Sequence, residues 1–179
     1  MVRYYGSYQG PMGIEKRFGG EVTVARKFVA FKNLSGSIGL GVESVTLDEG
    51  DESGMRNRYA QKGISWAYRD KELDGGFYVK ITPALTYDTR DSAVNARRGV
   101  LARITLEENL GISGDTFGKL HGMIRKFLPI GKKSSLVVTA KAGGKLHGDM
   151  PEFAGFALGG PYTIRGFNIS EVGVGDGYM

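Results

Sequence analysis

Apolar and polar side chains alternate along much of the chain with a period of two, the spacing of a β-strand with one apolar and one polar face. In the clearest segment, residues 77–88, odd positions are apolar or aromatic and most even positions are polar. The same alternation occurs in residues 17–30, 34–43, 100–107, 117–128 and 135–147, and a further segment opens the chain around Val2 to Tyr8. Seven such segments in succession predict an all-β antiparallel meander.

The segments are about ten residues or longer, which exceeds the usual length of strands in soluble sheets and matches strands that span a membrane. A soluble sandwich or barrel would turn the apolar face inward, whereas a membrane barrel turns it to lipid and lines a wet lumen with the other face. Both remain possible from the pattern. The membrane barrel is favoured because charged residues lie in mid-strand, namely Lys80, Arg103, Glu107, Lys141 and Lys145.

The predicted connections also differ in length. Short ones lie near 29–33, 90–97 and 129–134, and long ones at 48–76 and 148–176. Short turns on one side and long loops on the other are typical of outer-membrane barrels, although residues 110–116 predict only a modest loop. The chain shows neither an apolar run long enough for a membrane helix nor a secretory signal at its start. These two observations alone would indicate a cytosolic protein. The prediction of a membrane barrel therefore depends on the strand periodicity.

Composition narrows the chemistry. With 29 glycines, 5 prolines, 9 tyrosines and 9 phenylalanines, the chain suits strands better than helices. It has no cysteine, which excludes a disulfide framework and a thiolate metal site, and only two histidines. The net charge of +5 is spread among acids, as in residues 69–72, so we expect no nucleic-acid partner.

Motifs for catalysis fail on their spacing. Residues 114–120 resemble a phosphate-binding loop, but they are one residue short and no Ser or Thr follows the lysine, so a turn entering a strand is predicted. Residues 36–41 are glycine-rich, but they lie inside a strand pattern and not at a strand-to-helix turn, so a dinucleotide-binding site is not expected there. Asp88, Asp91 and Asp115 could indicate a cation site. The sequence around Asp88 and Asp91 instead favours a tight turn held by side-chain hydrogen bonds. We therefore expect no enzyme, no cofactor and no metal.

The most informative motif is Arg165, framed by Gly159, Gly160 and Gly166 in a long predicted loop. The glycines would let the backbone fold back tightly on itself. An arginine brought inside a barrel would need an acidic partner to offset its desolvation. We expect a loop that turns into the lumen and pairs Arg165 with a carboxylate on the wall.

The stretch Leu158-Gly159-Gly160-Pro161-Tyr162-Thr163-Ile164-Arg165-Gly166-Phe167 resembles the loop-six signature of the BamA superfamily, with Ile164 in place of the usual valine. That superfamily includes outer-membrane barrel assembly factors, the chloroplast outer-envelope import channel and the transporters of two-partner secretion. Residues 82–91 with Arg98-Gly99, and residues 148–157, also resemble its members. The resemblance covers roughly the second half of the chain.

The resemblance implies a sixteen-stranded barrel, preceded by periplasmic domains, in which loop six joins strands eleven and twelve. The segments here would then be strands five to eleven, with strand twelve beginning near residue 175. Residues 1–179 would form a partial outer-membrane barrel domain, without the first four strands, the last five or the periplasmic domains.

The resemblance also implies that loop six is locked in the lumen by Gly159, Gly160, Ile164, Arg165, Gly166 and Phe167. The family's acidic partner lies in a later strand, and Glu171, Asp176 or Glu107 could replace it. The implied function is the folding and insertion of β-barrel proteins into the outer membrane of bacteria. Its partners would be membrane lipid, unfolded barrel precursors or secreted polypeptides, and accessory assembly proteins.

Other functions remain open. The first alternative is a protein-translocating pore for two-partner secretion or for import at the plastid outer envelope. A small passive porin or adhesin barrel is a second alternative, and it predicts no inward turn of residues 159–167. A soluble β-sandwich that binds a partner is the third.

Overall fold

The computed structural model describes residues 2–4, 7–10, 13–48, 75–131, 134–158 and 173–178. These residues form strands joined by turns, with one turn of 3-10 helix at Glu152–Ala154. The strands are β1 (Val2–Tyr4), β2 (Ser7–Gly10), β3 (Gly13–Lys27), β4 (Leu34–Asp48), β5 (Gly76–Asp88), β6 (Gly99–Ser113), β7 (Phe117–Ile130), β8 (Ser134–Gly148), β9 (Phe156–Leu158), β10 (Gly173–Gly175) and β11 (Gly177–Tyr178). The predicted all-β class is confirmed.

Six long strands, β3 to β8, pair antiparallel with their neighbours in chain order, so the predicted meander is also confirmed. Both β1 and β2 pair with β3, so the predicted opening segment is observed as two short strands. At the other edge β11 pairs with β8 through Gly177 and Gly144, where the twelfth strand was expected to begin. Within the described residues the sheet does not close, as expected for part of a barrel.

The connections separate the two ends of the sheet. Residues 28–33, 89–98 and 131–133 join strands at what we call the short-turn end, and the predictions there are confirmed. The opposite, long-loop end carries the predicted loops 48–76 and 148–176, of which residues 49–74 and 159–172 lie outside the described residues.

At the long-loop end the prediction for residues 110–116 was too long. The alternation of outward apolar residues continues through Leu110 and Ile112, so β6 runs on to Ser113. Only residues 114–116 form the connection to β7. The hydroxyl of Thr116 accepts a hydrogen bond from the amide of Gly111 at 3.1 Å, which holds this turn tight.

The two faces of the sheet differ from those of a soluble protein. The apolar face is open, with Phe18 78% exposed, Val24 65% and Leu40 57%. The buried cluster lies instead on the charged face and comprises Val45, Tyr78, Phe117, Phe153 and Ala154, with Met150 packed against it. The chain therefore covers the long-loop end of its charged face and leaves its apolar face uncovered.

One residue lies on the opposite face from its prediction. The alternation placed His147 on the polar face with Lys145, but the register of β7 and β8 shifts between Gly118 and Lys119. Gly118 is then opposite His147, and the His147 ring reaches Glu108 of β6 at 3.0 Å on the apolar side. A Cβ at Gly118 would lie 2.5 Å from His147 Nε2 and 2.9 Å from Glu108 Oε2, so the missing side chain leaves room for this pair.

Candidate functional site

A row of alternating charges crosses the charged face near its long-loop end. Each of five consecutive strands contributes one residue, because inward positions on antiparallel strands fall side by side. We call these residues the ion-pair row: Arg17 of β3, Glu43 of β4, Lys80 of β5, Glu107 of β6 and Lys119 of β7.

The row is continuous. Arg17 Nη1 lies 3.3 Å from Glu43 Oε1, and Lys80 Nζ lies 3.0 Å from Glu43 Oε2. Glu107 Oε1 then lies 3.7 Å from Lys80 Nζ and 3.1 Å from Lys119 Nζ, and it accepts a further hydrogen bond from Asn109. The Glu43 side chain is only 5% exposed. Each acid sits between two cations, which offsets the cost of removing it from water.

Residues 151–156, which we call the anchor segment, lie across this row. Arg17 Nη2 donates to the carbonyl of Phe153 at 2.8 Å, and Lys119 Nζ donates to the carbonyl of Ala154 at 3.2 Å. The two cations at the ends of the row thus bind successive carbonyls of one turn. Backbone that would otherwise be buried without partners is satisfied by charged side chains, which are strong donors.

Aromatic packing supports the same contact. The ring of Phe153 is buried edge-on against Tyr78, with centroids 6.1 Å apart, and Tyr78 contacts Phe117 in the same way at 5.7 Å. The Arg17 guanidinium lies 5.6 Å from the centre of the Phe153 ring. Nearby, Phe156 packs 5.0 Å from His121. The anchor segment is therefore held by apolar burial and by charge together.

The anchor segment leads directly into the predicted latch. Strand β9 starts at Phe156 and pairs with β10, with Leu158 opposite Gly173. The residues 159–172 between these paired strands contain Gly159, Gly160, Ile164, Arg165, Gly166 and Phe167, and they lie outside the described residues, as does Glu171. The latch therefore stays a prediction.

Two of the acids suggested as partners for Arg165 have other partners. Glu107 is engaged by two lysines of the ion-pair row. Asp176 pairs with Lys145 at 2.9 Å, and its carbonyl accepts a hydrogen bond from the amide of Lys145 at 2.7 Å. This contact joins the start of β11 to the wall beside Lys119.

Below the row, toward the short-turn end, the charged face forms a polar cavity of about 700 Å³. Its wall is rich in hydroxyl groups and includes Thr23, Ser35, Ser37, Thr82, Thr86 and Thr105. Glu21 accepts hydrogen bonds there from Thr23 at 2.9 Å and Thr82 at 3.2 Å. Such a wall can bind water or extended backbone.

The glycine-rich and aspartate-rich motifs lie in the turns and strands predicted for them. Asp91 accepts hydrogen bonds from the amides of Arg97 and Arg98, and Asp88 accepts one from the amide of Arg90, which confirms the predicted turn. Residues 114–116 are a turn entering β7, and residues 36–41 lie within β4. In the part of the chain that is described, no cluster of three or more acids and histidines could hold a metal ion. No helix there is long and apolar enough to cross a membrane.

The alternation predicted the face of each ion-pair residue but not their pairing. Arg17, Glu43 and Lys119 fall at polar positions of three separate segments, and only the strand register brings them together. The sequence analysis did not identify Phe153 as part of the site. Its apolar side chain, in a predicted loop between two glycine-rich stretches, is the feature that could have indicated a buried contact.

The comparison with known families gives one match. A model of the Omp85 superfamily domain matches residues 10–178, nearly the whole chain. The match includes the segments on which the BamA resemblance rests, and that resemblance is confirmed. A search of curated proteins found no match.

Proposed function

The chain belongs to the Omp85 superfamily, and from that premise we propose that it is part of an outer-membrane barrel that folds and inserts other β-barrel proteins. Membership supports a role in the assembly or translocation of membrane proteins. The proposed partners are membrane lipid, unfolded barrel precursors and accessory assembly proteins. The chain acts by binding and guiding polypeptide rather than by catalysis.

The observation that supports the proposal best is the inversion of the two faces. The anchor segment covers the ion-pair row on the charged face, while Phe18, Val24 and Leu40 are open on the apolar face. In water this arrangement would expose a large apolar surface, which soluble proteins avoid. Against lipid the same surface is favourable, and the ion-pair row then belongs to a wet lumen.

The test is conditional depletion of the full-length protein in its native host. We expect the abundance of other outer-membrane barrel proteins to fall several-fold, and their unfolded precursors to accumulate. Quantitative proteomics of purified outer membranes measures both. Unchanged barrel levels after complete depletion would overturn the proposal.

One observation favours a second function, a pore that translocates polypeptides. The hydroxyl-rich wall around Thr82 and Thr105 could exchange hydrogen bonds with an extended chain. In that case depletion would remove one secreted or imported polypeptide and leave the membrane barrels at their normal levels. The same proteomic experiment thus distinguishes the two functions.

We also propose that Arg165 and its neighbours lock the loop that starts at the anchor segment. In the full-length protein, Arg165→Ala is expected to impair assembly or secretion and to make residues 159–172 sensitive to added protease. Arg165→Lys is the matched variant, since it keeps the charge but loses the planar fork. Wild-type function and protection in Arg165→Ala would contradict the lock.

A further inference from the structure

The apolar face contains a groove of about 520 Å³ across strands β4 to β8. Small residues form its floor, namely Ala102, Gly122, Ala140 and Ala142, and Gly122 is opposite Ala142 in the strand register. Larger apolar residues form its walls, namely Leu34, Leu85, Tyr87, Ile104 and Ile124. The result is a depression on a face that is otherwise covered by protruding aliphatic side chains.

A lysine of the apolar face lies beside this groove, whereas Arg103 and Lys141, which also border it, belong to strand positions of the charged face. Lys126 follows Ile124 by two residues on β7, so it shares the apolar face and lies toward the short-turn end. Its register neighbours are Val100 and Val138. The side chain is exposed, and no acid within the described ranges forms an ion pair with it. Tyr87, 45% exposed, lines the same end of the groove.

We propose that this groove binds an acyl chain of an anionic phospholipid whose phosphate is held by Lys126. The proposal rests on the proposed function, under which the apolar face meets the membrane. The volume of the groove lies within the range of pockets that bind small ligands. A lysine near the end of a membrane-spanning strand extends its ammonium group to the headgroup layer, where it attracts anionic lipid.

Charge favours lipid over a second copy of the chain. Among the described strand residues of the apolar face, the short-turn end carries the cations Arg26 and Lys126, whereas the long-loop end carries both signs, with Lys16 and Glu108. A two-fold contact through the groove would bring the same patch of each copy together, including both Lys126 side chains. An anionic headgroup complements this charge, and a second copy repeats it.

The experiment measures how much lipid the purified full chain retains in detergent. Native mass spectrometry counts bound molecules after titration with phosphatidylglycerol or, separately, with phosphatidylcholine. We expect wild type to retain phosphatidylglycerol preferentially, and Lys126→Gln to weaken that retention about fivefold. Lys126→Arg should restore it, since the positive charge is kept.

Two variants separate the groove from general lipid contact. Gly122→Leu fills the floor, where an added Cβ would meet only the carbonyl of Ala142 at 3.8 Å, and it should reduce retention of phosphatidylglycerol. Arg26→Gln is the matched control, because Arg26 is also an exposed cation on the apolar face of the short-turn end but lies four strands away on β3. It should leave retention unchanged.

Three results would overturn the proposal: equal retention of both lipids, an equal loss in Arg26→Gln and Lys126→Gln, or unchanged retention in Gly122→Leu. A cross-link between two chains through Gly122→Cys would also overturn it and would identify a second copy as the occupant. Flotation with vesicles separates this failure from that of the proposed function. If the chain floats normally and Lys126→Gln does not change lipid retention, only the lipid site is contradicted. If the chain does not enter the vesicle membrane, the proposed membrane barrel is contradicted.

Discussion

The two faces of the same six strands differ in which kind of side chain they bury. On one face Glu43 is 4% exposed and touches two cations, while on the other face Phe18 is 78% exposed. A charged side chain is therefore buried on one face, and an aromatic side chain is exposed on the other. The long-loop end of the charged face is covered by the chain's own anchor segment. The apolar face needs a cover from outside, and under the proposed function that cover is lipid.

The comparison also shows where specificity lies. Contacts on the apolar face need only apolar character, so many side chains could serve there. On the charged face each of the two cations that bind the anchor segment must meet one carbonyl, Arg17 at Phe153 and Lys119 at Ala154. Single substitutions of these charged residues should therefore lower the free energy of unfolding. Substitutions on the apolar face should lower it only when they add a charge.

The largest effect is expected from Glu43→Ala. This variant leaves Arg17 and Lys80 without their shared acid in a mostly buried position, and removing one partner of such a set costs about 3–5 kcal/mol. The free energy of unfolding can be measured in lipid vesicles by urea titration, with folded and unfolded protein separated by electrophoretic mobility.

Glu108→Ala is the matched control for that change. Glu108 is paired with one partner, His147, whose side chain is 53% exposed, so its removal should change the free energy of unfolding by about 1 kcal/mol or less. Equal losses in the two variants would mean that the two faces do not differ in their electrostatics.

Phe153→Ala tests whether the anchor segment is held by its own packing. Loss of a buried phenylalanine costs about 3 kcal/mol, but here the cost should fall on the docking of residues 151–156 and not on the sheet. Limited proteolysis should show new cleavage in that segment while β3 to β8 stay protected. Phe31→Ala, in a turn where the ring is 64% exposed, should leave the pattern unchanged. Cleavage throughout the strands of Phe153→Ala would show that the segment holds the whole sheet.

Leu40→Arg places a charge in the middle of the apolar face. If that face meets lipid, the variant should cost about 2 kcal/mol of folding free energy in vesicles. Ser37→Arg, on the polar face of the same strand, should cost little because its guanidinium reaches the polar cavity. Equal behaviour of the two variants would count against a lipid-facing surface.

The alternation alone fixed most of the fold, because a period of two is a local property that each strand displays by itself. It failed at His147, where one shift of register moves a side chain to the other face. The site was harder to predict, since the ion-pair row joins residues more than a hundred positions apart, such as Arg17 and Lys119. Nothing local in the sequence announces that Phe153 would lie over that row, although its glycine-rich surroundings pointed to an unusual loop.

The smallest effect concerns a residue on neither face, Asp91 in the turn of residues 89–98. The amides of Arg97 and Arg98 donate to its carboxylate at 2.9 and 3.2 Å, and these bonds lower the pKa of Asp91. Because the folded pKa lies below the unfolded value of about 3.9, the bonds stabilise the turn above that value. The contribution is lost as the pH falls through the folded pKa.

The amide proton shifts of Arg97 and Arg98, followed by NMR in micelles, should titrate with a midpoint below about 3.9. They should lose that titration in Asp91→Asn, while the resonances of β3 to β8 stay unchanged. A titration that persists in Asp91→Asn would assign it to another acid, with Asp88 the nearest in sequence, and would leave the turn without its proposed proton-sensitive bond.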